Sequence, residues 1–272
     1  MSGTRSPSPR APATEALIVA HGQPSEPEPA EAGIAALARR VQAVWPGGRV
    51  RGATLAMPGS LDTALAKAAH PPLVYPLFMS DGWFTASELS RRIAGRAAAI
   101  LPPLGLDPAL PGLAAGEVAR SCAERGWRAE ATVLIVAAHG SGRSLNAARA
   151  ARRFADGIGS ALRLGGIRVG FVEEPPGIAE AARDAGPRAI CLPFFAAGGG
   201  HVAGDVPAAL DDAGFRGLRA PPIGSHPAIP ALIAQRLGQR AGTDTPGPER
   251  YAPASACASG WAGSFSPSMT SK

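Results

Sequence analysis

Two histidines and a glutamate follow apolar segments in the second half of this chain, where they could support acid–base or metal chemistry. His139 ends the apolar run 132–138, Glu173 ends the segment "GIRVGFVE", and His201 follows "RAICLPFF" through a glycine-rich loop. Divalent first-row metals accept imidazole nitrogens and carboxylate oxygens as ligands. A neutral imidazole or a carboxylate also accepts protons near neutral pH. The three residues are therefore candidate catalytic and metal-handling groups.

The segments that lead to these residues are typical of buried strands in a parallel sheet. Continuous apolar runs alternate with amphipathic helical patterns, and this βαβα order predicts an α/β fold with parallel sheets and right-handed crossovers. In open sheets of this kind, ligands bind beyond the carboxyl ends of the strands. We therefore expect His139, Glu173 and His201 to converge at one edge of a sheet.

Glycine flanks both histidines. A glycine run (198–200) precedes His201, and a single glycine follows His139. We expect positive φ angles there, because glycine adopts them without steric cost and lets a flat ligand approach closely. The candidate substrate-binding residues in these loops are glycines, a serine and an arginine that could contact an anionic ligand. They are Gly140, Ser141, Arg143, Gly199 and Gly200.

Three sequence landmarks occur twice in the same order. The first copies are "LIVAHG", "VYPLF" and "PPLGLDPALPGLAA", and the second copies are "IVAAHG", "CLPFF" and "PPIGSHPAIPALIA". A near-constant spacing of about 118 positions predicts two copies of one structural unit. We expect lobe 1 to span 15–126 and lobe 2 to span 130–240. The ends, 1–14 and 241–272, are rich in Gly, Pro, Ser and Thr and are predicted to be disordered.

The two copies differ at the candidate site. Of the three chemical groups, lobe 1 keeps only His21, which aligns with the first histidine of lobe 2. The positions that correspond to the glutamate and the second histidine hold Ala56 and Phe84. We therefore expect His21 to be a turn residue and lobe 2 to carry the chemistry.

Several polar residues are predicted to start helices. His226 and Asp107 occupy matching positions before proline, which is typical of a helix start. Asp205 begins "DVPAALDDAG" and could cap that helix. The stretch "TASE" fits a capping box and predicts a helix over 86–100.

Composition excludes several classes of protein. The 272 residues carry a formal net charge of +6, nearly all of it from scattered arginines without interleaved aromatics, so we do not expect a nucleic-acid partner. No apolar run approaches the roughly 18 residues of a membrane span, and the first 15 residues lack the apolar core of a secretion signal. The three cysteines, Cys122, Cys191 and Cys257, have no close spacing. This predicts a reduced, cytoplasmic protein without disulfides.

The motifs of lobe 2 resemble those of the class II chelatases, the sirohydrochlorin cobalt- and iron-chelatase group. The similar segments are "IVAAHGSG", "VGFVEEPPGI", "CLPFFAAGGGHVAGDVPAAL" and "PPIGSHPAI". With lobe 1, the resemblance covers nearly all of 15–240 and matches the duplicated long form of the family. Its most specific part is the spacing from His201 to Asp205.

The resemblance implies a fold, an activity and a set of residues. The fold is an α/β chelatase fold of two similar lobes, each a small, mainly parallel sheet flanked by helices, with a cleft between them. The activity is insertion of Co²⁺, Fe²⁺ or Ni²⁺, as substrate, into an anionic tetrapyrrole without an organic cofactor, by a monomer or homodimer. By motif position, His139 and His201 match the metal-handling histidines and Glu173 matches their acidic partner.

The sequence departs from the family pattern in two places. The duplicated bacterial members keep the working site in the first half, whereas here only the second half is complete, as in another branch of the group. The stretch "HGSGRS" also carries an extra glycine before its arginine.

Two other functions remain open from the residues alone. The first is a degenerate chelatase that binds a tetrapyrrole or a metal without catalysis, which the complete residue set of lobe 2 argues against. The second is a histidine phosphatase or mutase, suggested by "AHGQ" at residues 20–23. That chemistry uses an arginine directly before the His-Gly pair, where this chain has Ala20 and Ala138.

Overall fold

The computed structural model describes residues 14–82, 84–142 and 144–242, without the side chains of residues 84–86. Within these residues, the strands form two four-stranded sheets in which every pair is parallel. The first sheet contains β1 (Thr14–Ala20), β2 (Gly48–Thr54), β3 (Leu73–Pro76) and β4 (Ala99–Ile100). The second contains β5 (Val133–Ala138), β6 (Gly166–Phe171), β7 (Ala189–Pro193) and β8 (Leu218–Arg219).

The two sheets have the same strand order, which confirms the predicted α/β fold with two similar lobes. The order is β2-β1-β3-β4 in lobe 1 and β6-β5-β7-β8 in lobe 2. Backbone hydrogen bonds beyond the strands also repeat. The amide of Leu77 donates to the carbonyl of Val19 at 2.7 Å, and the amide of Phe194 donates to that of Ala137 at the same distance. The duplication visible in the sequence is therefore a duplication of structure.

Helices cover both faces of each sheet. In lobe 1 they are α1 (Pro27–Val44), α2 (Ser60–Ala66), α3 (Ser90–Ile93) and α4 (Leu110–Glu124). In lobe 2 they are α5 (Asn146–Ala161), α6 (Ile178–Ala182), α7 (Gly200–Ala203), α8 (Asp205–Asp212) and α9 (Ile229–Ala241). A proline in the first turn of α1, α4 and α9 favours these helix starts, because the lost amide donor has no partner within the helix there.

The predicted helix over 86–100 is wrong in its second half. A π-helical segment, Phe84–Leu89, leads into α3, which ends at Ile93. Gly95 follows with a φ of +72°, a conformation that does not continue a right-handed helix, and residues 99–100 then pair as β4. The capping pattern located the start of the segment, but the sequence reading overlooked the glycine that ends it.

A shared hydrophobic core joins the lobes. It lies between the two sheets and contains buried residues of α1, α4, α5 and α9 together with the inward-facing residues of β1 and β5. Two smaller cores cover the outer faces, one packed by α2 and α3 and the other by α6 and α8. Residues 134–138 of β5 are all buried, as expected for a strand covered on both faces. The strand end that presents His139 is therefore rigidly held.

Two ion pairs cross between the lobes at matching positions of the repeat, with their charges exchanged. In one, Arg236 of α9 binds the carboxylate of Asp107 through two hydrogen bonds of 2.7 Å. In the other, His226 lies with its Nε2 atom 3.5 Å from the carboxylate of Glu117 of α4. Asp107 matches His226, and Arg236 matches Glu117. The acid thus lies at the helix start in one contact and on the helix in the other.

The predicted helix-start roles of these residues are confirmed. The amide of Ala109 donates to Asp107 at 2.9 Å, and the amide of Ala228 donates to Nδ1 of His226 at 3.1 Å. Each side chain therefore fixes the turn that precedes its helix, whose cap position is Ala109 or Ala228, and also reaches the opposite lobe.

Tyr75 lies beside the first of these ion pairs, with a hydroxyl that is buried. Among the described residues this hydroxyl has no hydrogen-bond partner. Burial, and then the negative charge of Asp107, raise the pKa of Tyr75 far above its usual value, so the phenol stays neutral.

We expect Tyr75→Phe to raise the free energy of unfolding by about 1 kcal/mol, because it removes a desolvated hydroxyl without changing the shape of the ring. Urea unfolding of the two proteins measures this difference. A loss of stability of similar size would contradict the expectation and would mean that the hydroxyl is satisfied in solution.

The chain ends predicted to be disordered lie almost entirely outside the described residues. At their inner margins, Thr14 begins β1 and Ala241 ends α9. No helix among the described residues is long and apolar enough to cross a membrane. Of the cysteines, Cys122 and Cys191 are free and buried, and burial raises the pKa of Cys191 to about 12, while Cys257 lies outside the described residues.

Candidate functional site

His139 follows the last residue of β5, and its ring is oriented by its own loop. Its Nδ1 atom lies 3.0 Å from the carbonyl oxygen of Gly140 and 3.7 Å from a carboxylate oxygen of Glu173. Both oxygens can only accept hydrogen bonds, so Nδ1 must carry the proton. The other ring nitrogen, Nε2, therefore presents a lone pair. The side chain is 40% exposed, which leaves this nitrogen accessible to a ligand.

His201 meets His139 from the opposite side. It lies in α7, the short helix that follows β7, and its Nε2 atom is 3.1 Å from Nε2 of His139. The two rings are nearly perpendicular, at 82°, with centroids 4.4 Å apart. On its other edge, Nδ1 of His201 lies 2.5 Å from a carboxylate oxygen of Asp205. The predicted convergence of the two histidines is thus present in the structure.

The oxygen atoms beside Nδ1 of both rings favour the tautomer in which the two Nε2 atoms face each other as lone pairs. The carboxylate of Asp205 accepts the Nδ1 proton of His201, as the Gly140 carbonyl accepts that of His139. Two lone pairs separated by 3.1 Å repel unless a positive charge lies between them. A proton or a metal ion between the two nitrogens removes this repulsion, so the pair is a candidate site for a shared cation.

Glu173 does not join the two histidines at this point. Its carboxylate lies on the Nδ1 side of His139, away from the shared pair of Nε2 atoms. Among the described residues, no group of three His, Cys, Asp or Glu side chains is placed to hold one metal ion together. In this conformation the glutamate supports His139 electrostatically, and the two imidazoles alone form the point of contact.

Gly140 and Ser141 have well-defined roles in the loop after β5. Gly140 has a φ of +73°, as predicted, and a Cβ atom there would lie 2.8 Å from a carboxylate oxygen of Glu174. The same oxygen of Glu174 accepts a hydrogen bond of 2.9 Å from the amide of Ser141. Glu174 therefore holds the loop that carries His139, and sequence reasoning missed it although it adjoins Glu173.

The glycine run before His201 differs from the expectation. None of the three residues at 198–200 has a positive φ, and Gly199 is fully extended at −170°. A Cβ at Gly198 or Gly199 would have nothing within 4 Å, so what these glycines provide is open space rather than an unusual backbone. Their proposed contact with substrate rests on that space. Arg143 lies outside the described residues.

Asp205 is the clearest residue that sequence reasoning misplaced. It does not cap α8, because Gly204 occupies the cap position and no side-chain cap bond forms. Its carboxylate instead faces His201, four residues earlier. A His and an Asp four positions apart lie on one helical face, and this spacing was the signal that could have identified the pair.

Lobe 1 reproduces the backbone of this site without its chemistry. The Nδ1 atom of His21 lies 2.7 Å from the carbonyl of Gly22, which has a φ of +77°. The amide of Ala56 donates to the carbonyl of His21 as that of Glu173 donates to His139, so alanine occupies the position of the acid. Phe84 begins the π-helical segment where lobe 2 has α7; its side chain lies outside the described part.

Residues of lobe 1 also face the lobe 2 site across the cleft. The side chain of Asn146, at the start of α5, donates to the carbonyl of Asp81 at 3.3 Å. A Cβ at Gly200 would lie 3.9 Å from the side-chain nitrogen of Gln23. The loop that follows His21 therefore lies close to the chain just before His201.

Comparisons with known proteins agree with this architecture. The CbiX family model matches residues 133–240, the segment that holds both histidines. A solved structure of CbiX, described as the terminal enzyme for biosynthesis of siroheme in denitrifying bacteria, is 51% identical, with a TM-score of 0.76. That match covers 83% of this chain and 98% of the CbiX chain.

A more distant structure shares the fold. DR2241 from Deinococcus radiodurans, a multi-domain protein with structural similarity to chelatases and two additional novel domains, is 22% identical, with a TM-score of 0.64. The match covers 83% of this chain and 55% of that one. No curated protein matches the chain significantly.

Proposed function

We propose that this chain, which belongs to the CbiX family of class II chelatases, inserts Fe²⁺ or Co²⁺ into sirohydrochlorin or a related polycarboxylated tetrapyrrole. Insertion of a divalent metal into a tetrapyrrole is the activity of the family. The choice of substrate and metal, and a place in sirohaem or cobalamin biosynthesis in the cytoplasm, are our proposal. It rests on the biosynthetic role described for the 51%-identical CbiX and on the net positive charge of the chain.

The observation that carries the proposal is the pair of Nε2 atoms. Two imidazole nitrogens that bind one metal ion at about 2.0–2.1 Å lie about 2.8 to 3.4 Å apart, for angles between a right angle and the tetrahedral angle. The measured separation of 3.1 Å falls within this range. The separation of the two nitrogens therefore suits one shared ion, and two ligands leave most of its coordination sphere open to a macrocycle.

The same two nitrogens can balance the protons of the reaction. Insertion removes two pyrrole N–H protons and places one divalent ion on four pyrrole nitrogens. As the ion leaves the imidazoles, each Nε2 regains a lone pair and can accept one of these protons. The carboxylates of Glu173 and Asp205 lie on the Nδ1 edges of the two rings, where they stabilise the imidazolium ions that form. Metal delivery and proton removal thus occur at one place.

Lobe 1 takes a supporting role in this proposal. The carboxyl end of β2 is closed by Glu31, which accepts hydrogen bonds from the amide and hydroxyl of Thr54 and from the hydroxyl of Ser60. The carboxylate of Glu31 is therefore occupied by hydrogen bonds that hold the loops of lobe 1 together. The loop of lobe 1 that contains Gln23 instead lies close to Gly200, the residue before His201.

An anaerobic insertion assay tests the function. Purified protein is mixed with sirohydrochlorin and with Fe²⁺, Co²⁺ or Ni²⁺ in turn, and the absorbance spectrum of the macrocycle is followed. We expect insertion above the uncatalysed rate with at least Fe²⁺ or Co²⁺. Spectral shifts on binding without faster insertion would indicate a non-catalytic tetrapyrrole-binding protein, and no change with any metal would overturn the proposal.

A further inference from the structure

Asp205 is placed to control which nitrogen of His201 carries the proton. The two side chains lie on successive helical segments that are almost continuous: the amide of Gly204 donates to the carbonyl of Gly200 at 2.7 Å, and that of Ala208 donates to Gly204 at 3.1 Å. This keeps residues four apart on one face. The Nδ1 atom lies 2.5 Å from the carboxylate, so the two groups are in hydrogen-bond contact, and the charge of the carboxylate strengthens such a bond.

The contact with Asp205 matters because the other neutral form of His201, with the proton on Nε2, could not bind a metal ion through that nitrogen. Neutral histidine in water prefers the proton on Nε2, and in that form the nitrogen facing His139 would be a donor without a lone pair. A carboxylate accepts only from N–H, so Asp205 selects the form with the proton on Nδ1. His139 obtains the same form from the Gly140 carbonyl, which is part of its own loop. At His201 the acceptor is the side chain of Asp205 within hydrogen-bond distance, whereas the Glu173 carboxylate lies 3.7 Å from Nδ1 of His139.

The two lobes differ in whether a carboxylate lies beside a histidine ring. His21 repeats the backbone contact of His139, with Nδ1 2.7 Å from the Gly22 carbonyl, so this way of fixing the proton is common to both copies. The position matching Asp205 in lobe 1 is Glu88, which pairs with Arg91 at 2.8 Å. The carboxylate directed at an imidazole is thus found at the site of lobe 2, where the second histidine is present.

We propose that Asp205 is a positioning residue that holds His201 as the Nδ1-protonated form and thereby presents its Nε2 lone pair to the metal ion. The inference rests on the proposed function. Partners of this kind fix the orientation and raise the basicity of metal-binding histidines, and their loss costs about 10- to 100-fold in metal affinity or activity.

The test uses full-length Asp205→Ala, Asp205→Asn and Asp205→Glu variants, with Asp211→Ala as control. Asp211 lies on the same helix, is 70% exposed and pairs with Arg219 away from the histidines. Two signals are recorded for the metal-free and Co²⁺-titrated proteins: the ¹⁵N shifts of the histidine side chains, assigned with His201→Ala, and the visible absorption of bound Co²⁺.

We expect wild type and Asp211→Ala to have His201 protonated on Nδ1, and Asp205→Ala to have it on Nε2 with Co²⁺ affinity about 10- to 100-fold lower. Asp205→Glu should recover part of this loss. An unchanged ¹⁵N pattern and Co²⁺ affinity in Asp205→Ala would overturn the inference. If Asp205→Ala does not fold, the wild-type spectrum and Asp205→Asn decide the question instead: His201 protonated on Nε2 in wild type contradicts the proposal.

The outcomes separate this inference from the function. A wild-type protein that has Nδ1-protonated His201 and a Co²⁺ affinity dependent on Asp205, but inserts no metal, would contradict the chelatase activity and support the positioning role. Normal metal insertion that does not change in the Asp205 variants would support the chelatase activity and contradict the positioning role.

Discussion

His201→Ala is expected to lower the rate of metal insertion by about 10²- to 10⁴-fold, the range found when a group that transfers protons in the transition state is removed. The variant loses one of the two nitrogens that share the ion and one of the two acceptors for the pyrrole protons. Its partner, His139, keeps the contact with Gly140, so its lone pair remains directed into the cleft. Initial rates from the absorbance assay measure the loss.

The duplication supplies a matched control for this variant. His21 occupies the same position after β1 that His139 occupies after β5, with the same contact to the following carbonyl. We expect His21→Ala to insert metal at close to the wild-type rate, and His139→Ala to behave like His201→Ala. Equal losses in His21→Ala and His139→Ala would contradict the assignment of the chemistry to lobe 2. They would mean that both lobes contribute reacting groups across the cleft.

The approach of His139 and His201 could be predicted because it follows from topology alone. Both residues lie beyond the carboxyl ends of β5 and β7, and neighbouring parallel strands must bring such residues together. Strand order does not predict the direction in which a side chain beyond a strand points. Glu173 follows β6, also a neighbour of β5, yet its carboxylate lies on the far edge of the His139 ring, because loop conformation and rotamer decide this and neither follows from strand order.

The contacts of Asp205 and of the interlobe residues also could not be predicted from local sequence rules. Asp before Val-Pro satisfies the local rule for a helix cap, and the chain nevertheless places it within the helix, facing His201. Similarly, Asp107 and His226 were identified correctly as helix-start residues, but their second contacts lie in the other lobe. Local sequence rules describe a residue's own turn. Contacts between distant segments depend on how the two lobes pack.

The largest effect on stability is expected from breaking the interlobe ion pair between Asp107 and Arg236. The carboxylate of Asp107 is 4% exposed and is neutralised by Arg236. Arg236→Ala leaves this buried charge without its counter-ion, and we expect the free energy of unfolding to fall by about 3 kcal/mol. Arg240→Ala, an exposed arginine one turn later on α9, is the control and should cost well under about 1 kcal/mol. Urea unfolding monitored by circular dichroism measures both.

The His226–Glu117 contact suggests a pair of substitutions that should restore stability when the Asp107–Arg236 ion pair is broken. Burial alone would raise the pKa of Glu117, but hydrogen bonds from His226 and Arg120 outweigh it and hold that pKa below its usual value, so the acid is stabilised in its charged form. Arg236→Glu alone would face Asp107 with a like charge and should be less stable than Arg236→Ala. Adding Asp107→His copies the His226–Glu117 pair into this position and should recover part of the loss near neutral pH.

The pH dependence of the doubly substituted protein follows from the sign of that pKa shift. A carboxylate with a lowered pKa in the folded state contributes stability that is present above its unfolded pKa and is lost as the pH falls through the folded value. The recovered stability should therefore disappear on acidification. If Asp107→His with Arg236→Glu is no more stable than Arg236→Glu at any pH, the two interlobe contacts are not equivalent.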